Sequence, residues 1–560
     1  MTEGDTNYIE INALDLDDEL LGYFDINTGE SYDDLFEPGV YTLPGINGTY
    51  YSYDNDSTTA HLKDGIYSIY VFAAQLTESG GIAKDAYGNP IQYEGFTTFR
   101  IDNSPSPTAT PTTTPTPSPS SAPTPTPSPT SVPSTSGSSG ISGPSTSTKP
   151  VTTPSAATNE IIDQGFKQVH LAAKTSTENG IITATISDSN LKTAIASIGN
   201  SETAIIVDAT TSSSEPSFKL SLTPEQIKLL QSIPSQSSIV IHFAGSAVAF
   251  PVSLLTKAPV NYGLELVISQ TDNLKSHFDG QLHGGTLIGN PVTFEAHWVS
   301  ASDSKPIEVP SNTFIKRSFT IPGNIGPNTA GVLFEDHGTV KPVSSLLKPQ
   351  ADGTTLVIVN RPGFSVYAAA SRTVQFNDIA SSWAASDITA LANKFIIDGT
   401  SATTFSPKNN LTRAEFTSLL VRSLGLQSNS TTQFTDIKST DWYASDVAAA
   451  YDAGLIQGTG NNKFSPNAAV TRQELSVILA RALQLTGVEL KVANPLFTPY
   501  TDEAKIAGYA KESVKALSAA GLITGETVDG GSYFNPAAAT TRDTVAVSLH
   551  QLLRAAKLID

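Results

Sequence analysis

Three short stretches carry the residue types suited to holding a small anion: Thr412-Arg413-Ala414-Glu415, Thr471-Arg472-Gln473-Glu474 and Thr541-Arg542-Asp543-Thr544. In the first two, a threonine and the glutamate three residues on form a capping box, in which two side chains satisfy orphaned N–H groups at a helix start. Thr412, Glu415, Thr471 and Glu474 are assigned to that capping rather than to ligand contact. The arginine between them falls at the first helical position, beside N–H groups whose partial positive charge favours an anion. A guanidinium grips a carboxylate bidentately, through charged hydrogen bonds of about 1.5–3 kcal/mol each. Arg413, Arg472 and Arg542 therefore read as a small carboxylate site present three times.

The elements that position them are repeated at fixed intervals. Trp383 to Gly399, Trp442 to Gly458 and Tyr509 to Gly525 are all sixteen residues apart, and Phe405, Phe464 and Phe534 each precede their arginine by eight. Each copy reads as helix, loop, helix. In the first, Trp383, Ile388, Leu391 and Phe395 approximate one helical face, and Phe416, Leu419, Leu420 and Leu424 form an apolar stripe. One such pair cannot bury its apolar face alone, so the copies are expected to pack around a common axis as an all-α, pseudo-threefold bundle with three related grooves. They span 374–428, 432–487 and 495–556. Trp383 and Trp442 read as partly core, the three glycines equally as left-handed turn residues or points of close approach, and Asp378 and Asp436 as cap or turn residues. The third copy, with Tyr509 for Trp and Thr544 for Glu, has a weakened cap. Its groove, and Arg542 with it, is expected to contribute least.

The repeats resemble S-layer homology (SLH) domains, whose T-R-A-E motif is matched at Thr412 to Glu415 and, with one change, at Thr471 to Glu474. That resemblance implies three packed repeats whose grooves hold pyruvyl-bearing sugar units of a peptidoglycan-linked secondary cell-wall polysaccharide. It assigns Arg413, Arg472 and Arg542 to the pyruvyl carboxylate, Trp383, Trp442 and Tyr509 to the sugar pocket, and Gly399, Gly458 and Gly525 to close backbone approach. It places the protein outside the cell, in the wall or surface layer of a Gram-positive type of bacterium.

The rest of the chain reads as display apparatus. Residues 1–104 are expected to form an acidic β-sandwich; the first 102 carry 19 acidic and 3 basic side chains. The run from Asp64-Gly65-Ile66-Tyr67 to Phe99-Arg100-Ile101-Asp102 resembles the fibronectin type III-like accessory domains of subtilisin-like cell-envelope proteases. Residues 105–158 are almost entirely Pro, Thr, Ser and Gly, with 14 of the 35 prolines, and read as a disordered, extended linker. An α+β spacer domain is expected at 159–258, with helices at Leu191, Ile195, Ile198 and after Thr223-Pro224-Glu225-Gln226. A β-sandwich spacer follows at 259–372.

Composition narrows the function classes. A net charge of −20 is the wrong sign for nucleic acid, and any attraction to an anionic polymer must come from local clusters. The chain has no cysteine, hence neither a disulfide nor a thiolate metal site. No apolar run is long enough to span a membrane. The eight histidines form no zinc pair and no nucleophile elbow stands out, so neither a catalytic residue, a metal nor a cofactor is assigned. No secretory signal follows Met1, so Met1 is not expected to be the natural start. The alternative reading is the non-catalytic portion of a surface-anchored subtilisin-like serine protease.

Overall fold

The computed structural model describes the backbone of five N-terminal strands and, from Ala156 on, residues 156–209, 215–270, 272–282, 284–490 and 499–560. The chain divides into two units, Met1–Gly143 and Pro144–Asp560. In the first, β1 (Thr6–Leu14), β2 (Leu20–Asp25), β3 (Thr49–Ser52), β4 (Gly65–Leu76) and β5 (Gln92–Ile101) make one antiparallel sheet in the order β3-β2-β1-β4-β5. The alternation of Tyr67, Ile69 and Val71 falls in β4. A second layer of the expected sandwich, and the linker over 105–155, lie outside the described residues.

The second unit opens with a short helix, α1 (Ala156–Asn159), which the linker expectation had absorbed. Ala157 and Thr158 are buried, and Ser318 Oγ donates to the carbonyl of Ala157 at 2.6 Å, so the packed body begins here. Among the described residues, fifteen strands then build a β body: β6 (Lys167–Glu178), β7 (Ile181–Thr185), β8 (Thr203–Ala209), β9 (Ser217–Leu222), β10 (Ser238–Phe243), β11 (Ser246–Pro251), β12 (Gly263–Gln270), β13 (Thr286–Val299), β14 (Ser304–Pro306), β15 (Ile315–Pro322), β16 (Ala330–Asp336), β17 (Thr339–Val343), β18 (Leu346–Pro349), β19 (Thr354–Arg361) and β20 (Ser365–Ser371). Their order is β17-β16-β20-β13-β12-β9-β7-β6-β8-β10-β11-β15-β19-β18, with β14 beside β13. The long strand β6 joins two halves of this path, its first part pairing with β8 and its second with β7. The helices expected here form as α2 (Asp188–Ile198) and α3 (Pro224–Leu230), the latter with its capping box complete. The boundary expected near residue 258 does not separate two cores. β12 pairs with β9 before it and β13 after it, and one apolar cluster runs from Leu171 to Ala369, because the strands before 258 lie as a block between strands that follow it.

The repeats contain α5 (Ala385–Asn393) and α6 (Arg413–Leu424), α7 (Ala444–Asp452) and α8 (Arg472–Leu485), and α9 (Lys511–Ala519) and α10 (Arg542–Ala555); α4 (Lys275–Asp279) belongs to the β body. Phe416, Leu420 and Leu424 are buried as the stripe on α6 requires, and all three repeats share one core. Trp383 and Phe395 lie outside α5, one before its start and one beyond its end. The three pairs close into a ring at the axis: Leu411 N–H donates to Thr540 O, Thr540 N–H to Val470 O, and Val470 N–H to Leu411 O, at 2.8–3.0 Å.

The bundle is docked on the β body through the first repeat. Arg361, fully buried, donates through Nε to the carbonyl of Gly425 at 2.8 Å, through Nη1 to Tyr367 Oη, and through Nη2 to the amide oxygen of Gln427. Desolvation lowers its pKa to about 9, against the pull of Asp336. Gly425 ends α6 in the left-handed conformation (φ 61°), and a Cβ there would lie 2.7 Å from Arg361 Cδ. Gly454, at φ 72°, has open space around its missing Cβ. Gly454→Ala is therefore expected to cost about 1–2 kcal/mol of backbone strain. Gly425→Ala adds displacement of the buried arginine, for a total of about 2–4 kcal/mol. Urea unfolding of the two variants measures the difference.

Candidate functional site

Each of α6, α8 and α10 starts against the loop of another repeat. Arg413 N–H donates to Ala468 O and Ala414 N–H to Pro466 O; Arg472 and Gln473 N–H donate to Ala538 O and Pro536 O; Arg542 and Asp543 N–H donate to Asn409 O and Pro407 O. The capping boxes at Thr412/Glu415 and Thr471/Glu474 are both complete, whereas Thr541 makes no capping bond to the backbone of Thr544, in keeping with the weaker third cap. These bonds correct the anion site expected at the helix starts. The first two N–H groups of each helix are taken by carbonyls of the next repeat in the ring, and the third, on α6 and α8, by the capping threonine.

The arginine side chains follow the same rule. Nε of Arg413, Arg472 and Arg542 donates to the carbonyls of Phe464, Phe534 and Phe405, at 2.8–2.9 Å. Nη2 donates to the carbonyls of Gln457, Thr524 and Asp398, each one residue before the motif glycine. Each guanidinium thus bridges repeats, and those of Arg413 and Arg542 also line a groove. Burial lowers the pKa of Arg472 and Arg542, with neighbouring acids opposing it.

The grooves are assembled by permutation. The first is lined by Arg542 of repeat 3, Gly399 and Glu415 of repeat 1 and Trp442 of repeat 2. The second takes Arg413 of repeat 1, Gly458 and Glu474 of repeat 2 and Tyr509 of repeat 3. There Arg413 Nη1 bonds Glu474 Oε1 at 2.7 Å, and burial together with Glu474 raises the Tyr509 pKa, Arg413 opposing. By the same order a third groove would combine Arg472, which bonds the carbonyl before Gly525, with Thr544 and Trp383, whose Nε1 donates to Asp543. The departures of repeat 3 are therefore spread over the second and third grooves. Arg542 sits in the groove that keeps Trp, Gly and Glu together. Among the described residues, Arg472 has no carboxylate within ion-pair distance.

Trp383, Trp442 and Tyr509 are 61, 59 and 63% exposed, which overturns the reading of the two tryptophans as partly core. The glycines are not left-handed. A Cβ on Gly399, Gly458 or Gly525 would meet a backbone oxygen at 2.4–2.8 Å and the ring of Phe376, Phe434 or Tyr500 at 2.5–2.9 Å, so they admit an aromatic ring of their own repeat. Two residues on, an aspartate clamps the loop: Asp378 accepts from Phe405 and Ser406 N–H, and Asp436 from Phe464 and Ser465 N–H. Asp502, which the sequence reading missed, does the same for Phe534 and Asn535. Its signal is Tyr500-Thr501-Asp502, displaced because Tyr500 precedes Tyr509 by nine residues where Phe376 precedes Trp383 by seven. Each clamped loop carries a left-handed residue: Ser406, Ser465 or Asn535.

The S-layer homology domain model matches residues 375–417, 433–476 and 499–546, so the chain carries three such domains. Relatives include the amylopullulanase of Thermoanaerobacterium thermosulfurigenes, 27% identical over 67% of this chain and 19% of that protein. Exoglucanase XynX of Acetivibrio thermocellus is 35% identical over 32% of this chain and 16% of its own length, and the surface-layer 125 kDa protein of Lysinibacillus sphaericus 29% over 32% and 15%. The chain spans less than a fifth of each. It is a cell-surface protein, anchored at the wall or surface layer through its S-layer homology domains.

Burial works to raise the Asp436 pKa, but the two backbone N–H bonds outweigh it and hold the carboxyl below its usual range. A lowered folded pKa contributes stability that is full above the unfolded value and lost as pH falls through the folded one. Asp436→Asn offers one acceptor oxygen where two are used. The stability gap between wild type and Asp436→Asn is expected to be full at neutral pH and to shrink below about pH 4, measured by urea unfolding across pH.

Proposed function

We propose that the three grooves bind a secondary cell-wall polysaccharide through its pyruvyl carboxylates, and that this contact anchors the protein non-covalently. One observation carries the reading: a large aromatic ring about three-fifths exposed stands beside a bridging arginine that belongs to a different repeat. An exposed ring offers a face to the apolar side of a sugar, and a guanidinium fixed by two carbonyls keeps its remaining N–H groups for an acid. With a net charge of −20, such local cation sites must supply the attraction.

The chain is read as display and anchoring apparatus without catalysis of its own. That two relatives named as enzymes share less than a fifth of their length with it supports an anchor that different catalytic partners carry. The alternative of a subtilisin-like protease's non-catalytic portion rests on the fibronectin type III-like resemblance of residues 1–104 alone.

Sedimentation of the full chain with wall sacculi, native or stripped of pyruvyl groups, tests the proposal. Native walls are expected to retain it and stripped walls to release it. Trp442→Ala changes an exposed side chain and is expected to weaken retention about tenfold, or about 1.4 kcal/mol, with Tyr509→Ala milder because its groove already engages Arg413 with Glu474. Equal retention on both walls contradicts the proposal.

A further inference from the structure

The Arg542 groove differs from the others in having a wall from outside the repeats. Leu282, which follows α4, and Val340 and Pro342 of β17 line it, all half-buried and apolar. The groove measures about 260 Å³, against about 500 Å³ for the groove of Arg413, which only repeat residues line. This wall is held in place. Gln281 accepts from Val340 N–H at 2.9 Å and donates to Gly338 O, fixing the β16–β17 hairpin.

The same strand organises the groove's cationic floor. Lys341 lies between the two wall residues and pairs with Asp446 at 3.7 Å, and Asp446, nearly fully buried, grips Arg422 at 3.0 Å. Arg422 sits 5.7 Å from the centre of the Trp442 ring. Its counterpart in the second groove, Arg481, donates to the carbonyl of Leu455 and, among the described residues, has no acid partner.

The register is enforced at the turn after α5. Repeats 2 and 3 have Ala453-Gly454 and Ala520-Gly521 there, with left-handed glycines, where repeat 1 has Lys394-Phe395. Phe395 adopts φ 63° and inserts into a cluster with Phe278, Leu333, Ala368 and Ala370, while buried Lys394 reaches Ser345 O and Asp560. A bulky left-handed residue costs about 1–2 kcal/mol, which this insertion offsets.

We infer that the β body is part of the binding machinery: it adds a second saccharide subsite to the Arg542 groove, where the sugar next to the acidic one lays its apolar face on Leu282, Val340 and Pro342. A ligand with both a carboxylate and pyranose C–H faces matches a groove lined by Arg542, Trp442 and an apolar wall. The inference rests on the carboxylate-saccharide reading of the groove.

The chain has three tryptophans, and Trp298 is only 5% exposed. In full-length Trp383→Phe protein, fluorescence therefore reports ligand at Trp442. The probes are a pyruvyl-bearing monosaccharide and a trisaccharide carrying it, released from the wall polymer. The trisaccharide is expected to bind about tenfold more tightly, from added apolar burial. Leu282→Ser with Val340→Thr is expected to abolish that advantage, so that in this variant the trisaccharide binds no more tightly than the monosaccharide, with circular dichroism as the folding control. Equal affinities in the parent protein overturn the subsite and leave the groove reading standing. No response to either sugar overturns both. A glutamate tripeptide binding as tightly as the trisaccharide overturns the saccharide assignment.

Discussion

The architecture of the repeats depends on one constraint: each second helix can start only against the loop of another repeat. Nine main-chain hydrogen bonds express it, three around the axis and six from the first two N–H groups of α6, α8 and α10. Each buried N–H left without a partner would cost about 1–3 kcal/mol, so no repeat satisfies its own backbone alone. A head-to-tail contact of this kind either propagates or closes, and here it closes after three copies. The arginines extend the same contact by their side chains, bonding the carbonyls of the next loop at two points.

The composition of the grooves follows from that closure. Because α6, α8 and α10 each reach across a boundary, an arginine meets the glycine turn of the next repeat and the aromatic ring of the one after. The β body then breaks the symmetry. Repeat 1 trades the small Ala-Gly turn of its siblings for Lys394-Phe395 and presents Gly425 and Gln427 to Arg361. The chain from Gln427 through Asp336, Lys341 and Asp446 to Arg422 carries this docking to the edge of one groove.

Much of the local structure was legible in the sequence. The T-x-x-E capping boxes, the stripe on α6 and the fixed intervals all reflect helical geometry, which is set within a few residues. The sequence could not say which arginine meets which aromatic residue, because an interval along the chain fixes register inside a repeat and carries no information about neighbours. Reading each copy as self-contained put the defects of repeat 3 into one groove and left the helix N–H groups free for an anion. Trp383 looked like a core residue because its spacing to Ile388 imitates a helical face, yet it precedes α5. The permutation had no signal in a single chain, whereas Asp502 had one, hidden by a shifted interval.

The central claim, that a binding groove is shared by three repeats, is tested most directly by a double-mutant cycle on wall-polymer affinity. Arg542→Lys is combined with Trp442→Ala from another repeat, and separately with Tyr509→Ala from its own. Coupling of about 0.5–3 kcal/mol between Arg542 and Trp442, with additive effects for Arg542 and Tyr509, is the predicted result. Coupling to Tyr509 and additivity with Trp442 would contradict it.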